Sequence, residues 1–330
     1  MKRFARLPVF AILVLLSGCY VANMLEFDGL KPAEVAISAS IQSLTVVSRC
    51  DLDSVYKVSL ESLGRIKDFD RDSIMAKQVV LGCSDALVES PRFDLFNPIV
   101  RRSLVGDFSD PSRKIPWDMI QIIAGDPPRD AVLSLEIGVI KDTIKYSLQD
   151  GWLRTYTYNV VVKTLWRLYR LSDFQSKEFN FADTVAFDID SPSEFTSSPD
   201  QRLECIRNAM YEAGVQTAER LAPWWTNFQR YYFTMGSQKF INGAKLLRDG
   251  KWQEAAEIWR PYTESSNKLV AAKACFNMSL TCEIANNIPA ALDWLKQSEK
   301  LGMHEFYIKD YQSKLEKRKA ETDKLDEQMR

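Results

Sequence analysis

The chain has 330 residues, enough for two domains, and its 46% apolar content with 11% aromatic residues supports a folded core rather than disorder. Its 43 basic and 44 acidic residues give a net charge of −1, which argues against nucleic acid as a partner because phosphate binding needs a basic surface. The single histidine, His304, excludes most histidine-based metal sites and most Ser-His or Cys-His catalysis.

The N-terminus has the features of a secretion signal that ends on a cysteine. Basic residues precede an apolar run, 7–16, which at about 1.5 Å per residue is too short to cross a bilayer. The small residues Ser17 and Gly18 then precede Cys19. The stretch LVLLSGC at 13–19 resembles the lipobox of bacterial lipoproteins, and this resemblance implies cleavage before Cys19 and acylation of that cysteine. An ordinary signal peptide with a chance cysteine is the alternative.

These features predict an outer-membrane lipoprotein. With residues 1–18 removed as a signal peptide, 40 basic and 44 acidic residues remain, so the mature chain stays slightly acidic. No later segment reaches about 18 consecutive apolar residues, so we expect a soluble body tethered by acyl chains. Tyr20 stands where an inner-membrane retention signal would have aspartate, which favours the outer membrane. Acidic residues come late after the cysteine, at Glu26 and Asp28, which favours the periplasmic face.

Residue patterns divide the mature chain into a mixed region and a helical region. Residues 19–32 are interpreted as a short tether. Periodicity predicts strands at 33–47, 130–143, 156–171 and 179–189, and helices at 72–89, 117–123 and 199–221. A hairpin over 147–154 would join the second and third of these strands. The predicted fold class is α+β: an N-terminal α/β domain, 33–222, with a mainly antiparallel sheet, followed by an α-helical domain, 223–330.

The helical region contains an internal repeat with an offset of 36 residues. Turn residues at Gly250 and Asn286 are each followed by an alanine five positions later, Ala255 and Ala291. A small residue before each turn, Gly243 and Ser279, shows the same offset. This pattern resembles the tetratricopeptide repeat, a helical hairpin of about 34 residues. Two generic helical hairpins are the alternative.

Only two such repeats are present, whereas about three are usually needed for a stable array. The shortage implies that the repeats dock on the N-terminal domain and end in a C-terminal capping helix over 305–328. The repeat class commonly binds partner proteins, and this link is an analogy from fold.

The first half resembles a layout found in envelope lipoproteins. A helix ends near Leu87 to Phe93 and is followed by a strand. Asp130-Ala131-Val132 then begins a long hairpin, which precedes the helix at 200–221. This order is similar to the α/β domain of the curli-secretion and penicillin-binding-protein-activator lipoproteins. With the segment 222–232, Trp252 and Trp259, the chain resembles Bacteroidota lipoproteins that join such a domain to tetratricopeptide-like helices. The resemblance transfers no catalytic residues.

Five cysteines remain besides Cys19, and their spacing matches no zinc pattern. We interpret them as buried thiols, with a Cys50–Cys83 bridge as an alternative in an oxidising compartment. Cys275 and Cys282 lie seven residues apart on one predicted helix, about 10 Å, which is too far for a disulfide.

No catalytic motif is present, so we expect no enzyme, no cofactor and no metal. The carboxylates Asp188 and Asp190 flank Ile189 at a strand end, where solvated acids are the expected interpretation. Aromatic residues cluster over 224–233, between the two predicted domains; we expect them to join the domains, with a ligand site as the alternative. Tyr156 and Tyr158 share one strand face, which suits cross-strand packing or a ligand-binding face.

These observations predict a non-catalytic protein-binding or assembly module, anchored to a lipid membrane through Cys19 and bound to an envelope protein partner. The expected binding surface consists of first-helix residues of the repeats: Lys239, Asn242, Lys245 and Lys273. The alternatives are a carbohydrate-binding lipoprotein, carried by exposed aromatic rings, and a hydrolase of envelope polymers that uses two carboxylates in a cleft about 5–10 Å apart.

Overall fold

The computed structural model describes residues 22–49, 70–93, 113–149, 153–234 and 237–329, with side chains in the first helix described from Lys77 on. Two compact units result. The helical unit contains residues 22–29 and 226–322, and the sheet unit contains 30–225 together with the end of the chain from Asp323. Cys19, Cys50 and the predicted hairpin turn at Asp150-Gly151 lie outside the described residues.

The described elements before residue 234 are a mixture of strands and helices, and those after it are all helices. The strands are β1 (Ala22–Lys31), β2 (Leu44–Ser48), β3 (Ala131–Gln149), β4 (Leu153–Arg170), β5 (Gln175–Ile189) and β6 (Trp224–Phe233). The helices are α1 (Asp70–Glu89), α2 (Trp117–Ala124), α3 (Pro192–Ser197), α4 (Pro199–Leu221), α5 (Gln238–Arg248), α6 (Trp252–Trp259), α7 (Lys268–Ile284), α8 (Ile288–Lys300) and α9 (Glu305–Met329). A short 3-10 helix, Arg260–Glu264, follows α6.

The sheet unit is built on four strands in the order β2-β3-β4-β5. β3, β4 and β5 run antiparallel as two long hairpins, and β2 pairs in parallel with β3. Parallel pairing requires a crossover connection, and the chain makes it between residues 48 and 131. The fold class is therefore α+β with a mostly antiparallel sheet, as predicted.

One face of this sheet is covered by α1 and α4, whose backbones approach each other closely. A Cβ atom added at Gly82 would lie 2.0 Å from the carbonyl oxygen of Tyr211, and one at Gly214 would lie 2.0 Å from that of Val79. Glycine is thus the residue that permits this helix contact. Near the start of β3, the opposite face of the sheet is covered by α2 through Ile120 and its neighbours.

The helical unit combines the sheet of β1 and β6 with the helices α5 to α8 and most of α9. Within it, the Glu26 carboxylate accepts a hydrogen bond from Gln229 across the two strands, at 2.8 Å. Its core has two clusters, one centred on Trp259 and the other on Phe276. Among the described helices, none combines the length and the apolar character that a bilayer crossing requires.

Several local predictions are confirmed and three are wrong. The helices predicted at 72–89, 117–123 and 199–221 are α1, α2 and α4, and the closing helix is α9. The predicted tether instead contains β1, the strand predicted at 33–47 begins only at Leu44, and the region after 222 begins with β6 rather than a helix. β1 and β6 stabilise each other as one sheet, a pairing of segments about 200 residues apart that local patterns do not reveal.

Candidate functional site

The helix α5 presents most of the predicted binding surface to solvent. The Ser237 hydroxyl caps its start by accepting a hydrogen bond from the Phe240 amide at 3.2 Å. Buried side chains on one side of the helix face the core of the unit: Phe240, Gly243, Ala244 and Leu247. The opposite side exposes Lys239, Asn242 and Lys245, three of the four residues of the expected binding surface. We call this exposed side, with Ile241, the α5 face.

Close packing against α6 holds the α5 face in place. The indole Nε1 of Trp259 donates a hydrogen bond to the carbonyl oxygen of Phe240 at 3.1 Å. A Cβ atom at Gly243 would lie 2.6 Å from that same nitrogen, so only glycine fits beneath the indole. The α5 face is thus displayed by a helix whose position is fixed by packing, which favours binding because little order is lost on association.

The α5 face is basic. The helix contains no acidic residue, and neither Lys239 nor Lys245 forms an ion pair with a described residue. Ile241 adds an apolar side chain that is 39% exposed. At the end of the helix the Arg248 guanidinium donates to the Tyr232 hydroxyl at 2.9 Å. This combination of unneutralised cations and one exposed apolar side chain suits an acidic protein surface.

Lys273 does not belong to this surface, so that part of the prediction is wrong. Its side chain is 1% exposed, and its ammonium lies 5.7 Å from the ring centroid of Phe233. Burial lowers the pKa of this ammonium. Lys273 lies on α7, which packs against both α6 and α8 and is buried on almost every side. Apolar residues are spread around all sides of α7 instead of forming one stripe, which is typical of a central helix.

The two helical hairpins use their corresponding residues in corresponding ways. Gly250 and Asn286 both adopt positive φ, 77° and 56°, and end α5 and α7. Ala255 and Ala291 are both fully buried. The small residue Ser279 donates its hydroxyl to the carbonyl oxygen of Ala291 at 2.7 Å. The 36-residue offset thus corresponds to the same turn conformation and to a buried alanine in both hairpins.

A buried ion pair in the helical unit was not predicted. The Arg230 guanidinium donates three hydrogen bonds, of 2.7, 2.9 and 3.2 Å, to the Glu283 carboxylate. The Tyr311 hydroxyl donates a fourth at 2.8 Å. Burial, together with the negative charge of Glu283, raises the pKa of Tyr311 well above its usual value. This network is buried and connects β6, α7 and α9 within the helical unit.

A second buried network lies in the sheet unit, at a β-bulge. The register between β3 and β4 shifts between Leu135 and Ile137, and Glu136 is the extra residue. Its fully buried carboxylate is bound by the guanidinium groups of Arg49 and Arg167. Burial raises the pKa of Glu136, and the two arginines offset only part of that rise. β-bulges often lie next to active sites. This carboxylate, however, is buried and paired with two arginines, as in a structural ion network.

The acids Asp188 and Asp190 are exposed and line an open depression of about 340 Å³ with Glu194 and Glu204. Within the described part of the chain no other charged residue lines this depression, so its acids have no cationic partner there among those residues. This is the geometry of solvated strand-end carboxylates. Among the described residues no group of histidine, cysteine and carboxylate side chains is arranged to hold a metal ion.

The aromatic run over 224–233 forms β6, and its members differ in exposure. Phe228, Tyr232 and Phe233 are buried inside the helical unit, whereas Trp225 is 55% exposed. In the earlier hairpin, Tyr158 is buried and donates its hydroxyl to Asp142 at 2.7 Å, and Tyr156 is partly exposed. The thiols of Cys83 and Cys275 are buried, and Cys205 and Cys282 are partly buried.

Family comparisons divide the chain at the end of β6. Residues 41–233 match the family model described as "Domain of unknown function (DUF8603)", which is more than half of the chain. The chain belongs to this DUF8603 family. Residues 242–321, from α5 into α9, match a second model, "Domain of unknown function (DUF6340)". No curated protein matches the chain. The DUF8603 match thus includes the four-stranded sheet, and the DUF6340 match begins within α5, so it includes Asn242 and Lys245 of the α5 face.

Proposed function

We propose that this DUF8603 protein is a lipid-anchored protein of the cell envelope that binds a partner protein through the α5 face and carries out no catalysis. The observation that supports this best is the α5 face itself. Lys239, Asn242 and Lys245 are exposed together on one helix, beside the exposed Ile241, while Gly243 and Trp259 fix the helix from behind. The expected partner surface is acidic with an apolar recess.

The proposed anchor is an acylated Cys19 in the outer membrane, with the body on the periplasmic side. The motif at 13–19 supports the lipid, and Tyr20 supports the outer membrane. β1 begins at Ala22, three residues after Cys19. Three residues reach at most roughly 10 Å, so an acylated Cys19 would hold the start of the helical unit next to the lipid headgroups. Partner binding would then take place close to the membrane surface.

The resemblance of the two hairpins to tetratricopeptide repeats supports a binding role. Their matched turns at Gly250 and Asn286 and their matched alanines reproduce one hairpin geometry twice. Helical hairpins of this kind commonly present side chains of their first helices to a partner, and α5 is such a helix. This part of the proposal rests on fold analogy.

Site-specific photocrosslinking tests the binding surface. A photoreactive phenylalanine analogue replaces Asn242 in the full chain, expressed in its native membrane, and a matched control carries it at exposed Thr184 on β5. We expect a discrete adduct with one envelope protein from position 242 and a much weaker one from 184. Equal or absent adducts at both positions, with both variants folded, would refute the α5 face as the binding surface.

Metabolic labelling with an alkyne-bearing fatty acid tests the anchor separately. The wild-type chain should incorporate the label and fractionate with the outer membrane, whereas Cys19→Ala should do neither. Labelling that survives in Cys19→Ala would contradict the proposed anchor.

A carbohydrate-binding role is the second candidate, because it requires exposed aromatic rings and the structure has two of them in the sheet unit. Trp225 is 55% exposed and Tyr146 is 71% exposed, both in the sheet unit. Exposed aromatic rings are suited to stacking on sugars. Binding to envelope glycans that is lost in both Trp225→Ala and Tyr146→Ala would favour this candidate over the protein-binding one.

A further inference from the structure

The helical unit also contains a groove between α8 and α9, at the opposite end of its helix order from α5. The groove encloses about 250 Å³, and the apolar side chains along it are Leu292, Leu295 and Ile308. It therefore has the apolar floor that accommodates a helix or a side chain of a partner. In the packing order of the hairpins, α6 and α7 lie between α5 and this groove.

The rim of the groove is acidic. Asp293, Glu299 and Glu316 line it together with one lysine, Lys296. Asp293 and Glu299 are exposed, and neither forms an ion pair with a described residue. The Glu316 carboxylate accepts a hydrogen bond from the Gln312 amide at 2.8 Å. The groove is thus complementary in charge to a basic helix that carries an apolar side chain.

The α5 face has these properties. Lys239 and Lys245 are six residues apart, about 9 Å along the helix axis, and Asp293 and Glu299 have the same separation along α8. Ile241 lies between the two lysines in sequence and is available for an apolar floor. Charge, spacing and apolar content therefore agree between two different surfaces of one chain.

We propose that the α5 face of one chain binds the α8–α9 groove of a second copy. This inference rests on the proposed function, since it identifies the partner of the α5 face. The two surfaces differ, so the contact is head-to-tail. Each bound copy still has one unoccupied surface, to which a further copy can bind. The contact area on one helix is small, and the association is accordingly weak in dilute solution. Anchoring in one membrane raises the effective concentration of both surfaces and favours it.

A charge-swap experiment tests this association. The lipidated full-length protein is reconstituted in vesicles of phosphatidylcholine and phosphatidylglycerol, and a carbodiimide joins lysines to neighbouring carboxylates. Wild type should give covalent dimers with a crosslink between α5 and α8. The variants K239E/K245E and D293K/E299K should each lose at least about tenfold of this product, since two ion pairs become repulsive. The variant K141E/K163E, with the same charge change on exposed β3 and β4 lysines, should crosslink as wild type does.

Mixing K239E/K245E with D293K/E299K makes both contacts between unlike variants complementary. The native α5 face of D293K/E299K meets the native groove of K239E/K245E, and the two charge-swapped surfaces are also opposite in charge. Recovery of mixed dimers is therefore the expected result, and it also shows that both variants are folded. The proposal is overturned if mixing restores nothing, or if either variant alone crosslinks as well as wild type.

The proposed function has a different failure pattern. An adduct from position 242 to another envelope protein, unchanged by D293K/E299K, would leave the α5 face as a binding surface and refute self-association. Absence of any adduct from position 242 would refute both proposals.

Discussion

Replacing Glu283 by alanine should destabilise the helical unit more than any surface substitution in it. The change removes the acceptor of three hydrogen bonds from Arg230 and one from Tyr311. The Glu283 side chain is 0% exposed and that of Arg230 is 6% exposed, so the guanidinium would keep its charge in a site closed to water. Breaking a buried pair in this way costs about 3–5 kcal/mol.

The double substitution Arg230→Met with Glu283→Leu separates the charge effect from simple loss of packing. It removes both charges and leaves apolar side chains beside Phe228, whose ring lies 5.2 Å from the Arg230 guanidinium. Buried pairs replaced by apolar residues of similar volume often lose little stability or even gain some. We therefore expect the double variant to be at least about 2 kcal/mol more stable than Glu283→Ala.

Urea unfolding monitored by circular dichroism measures both changes. With a denaturant dependence of about 1–3 kcal/mol per molar urea, Glu283→Ala should lower the unfolding midpoint by roughly 1 M or more. A cost of less than about 1 kcal/mol for Glu283→Ala, or a double variant as unstable as the single one, would show that the unpaired Arg230 charge is not what destabilises the unit.

Three further predictions concern packing, acid stability and thiol reactivity. Gly243→Ala should cost about 1–3 kcal/mol of unfolding free energy, because its Cβ would lie 2.6 Å from Trp259 Nε1; an unchanged urea midpoint would contradict this contact. Burial opposes ionisation of Asp130, but its hydrogen bonds with Gln42 and Ser43 lower its pKa overall, so the stability it provides is present above about pH 4 and is lost as pH falls through the lowered value. In Asp130→Asn the melting temperature should therefore depend less on pH between about pH 4 and pH 2 than in wild type. An unchanged dependence of melting temperature on pH in this range would count against these hydrogen bonds. Burial raises the pKa of Cys275 to about 11, so only about one molecule in a thousand carries its thiolate at pH 8; alkylation faster than in a short peptide would contradict the burial.

Elements with strong local patterns could be predicted from the sequence. The broad apolar faces of α1 and α4 and the alternating residues of β3 and β4 place the larger part of the sheet unit. The pairing of β1 with β6 could not be predicted, because these strands are stabilised by their contacts with each other, which local sequence patterns do not report. The aromatic run of β6 was instead interpreted as the start of the helical domain, although aromatic residues are typical of strands.

The exposed residues of the candidate site could be predicted where the sequence of a single helix determines which side chains face solvent. α5 has a clear polar side, so Lys239, Asn242 and Lys245 could be placed on the surface from the sequence. Lys273 could not, because its burial depends on α7 having neighbours on both sides. The same holds for Glu283, whose role depends on Arg230 in a strand 53 residues away. Charged residues are buried only by tertiary packing, which local periodicity does not report.

Recovery of a crosslinked partner from the native membrane, compared among three chains, tests the proposed function most directly. The chains are wild type, Lys239→Glu with Lys245→Glu, and Lys273→Met as a variant of a buried lysine outside the α5 face. We predict one stoichiometric partner with wild type, whether another envelope protein or a second copy of this chain. We expect the same yield with Lys273→Met and at least about tenfold less with the double variant. Equal yields from all three chains, or recovery of uncrosslinked monomer alone under conditions of efficient crosslinking, would contradict a binding role for the α5 face.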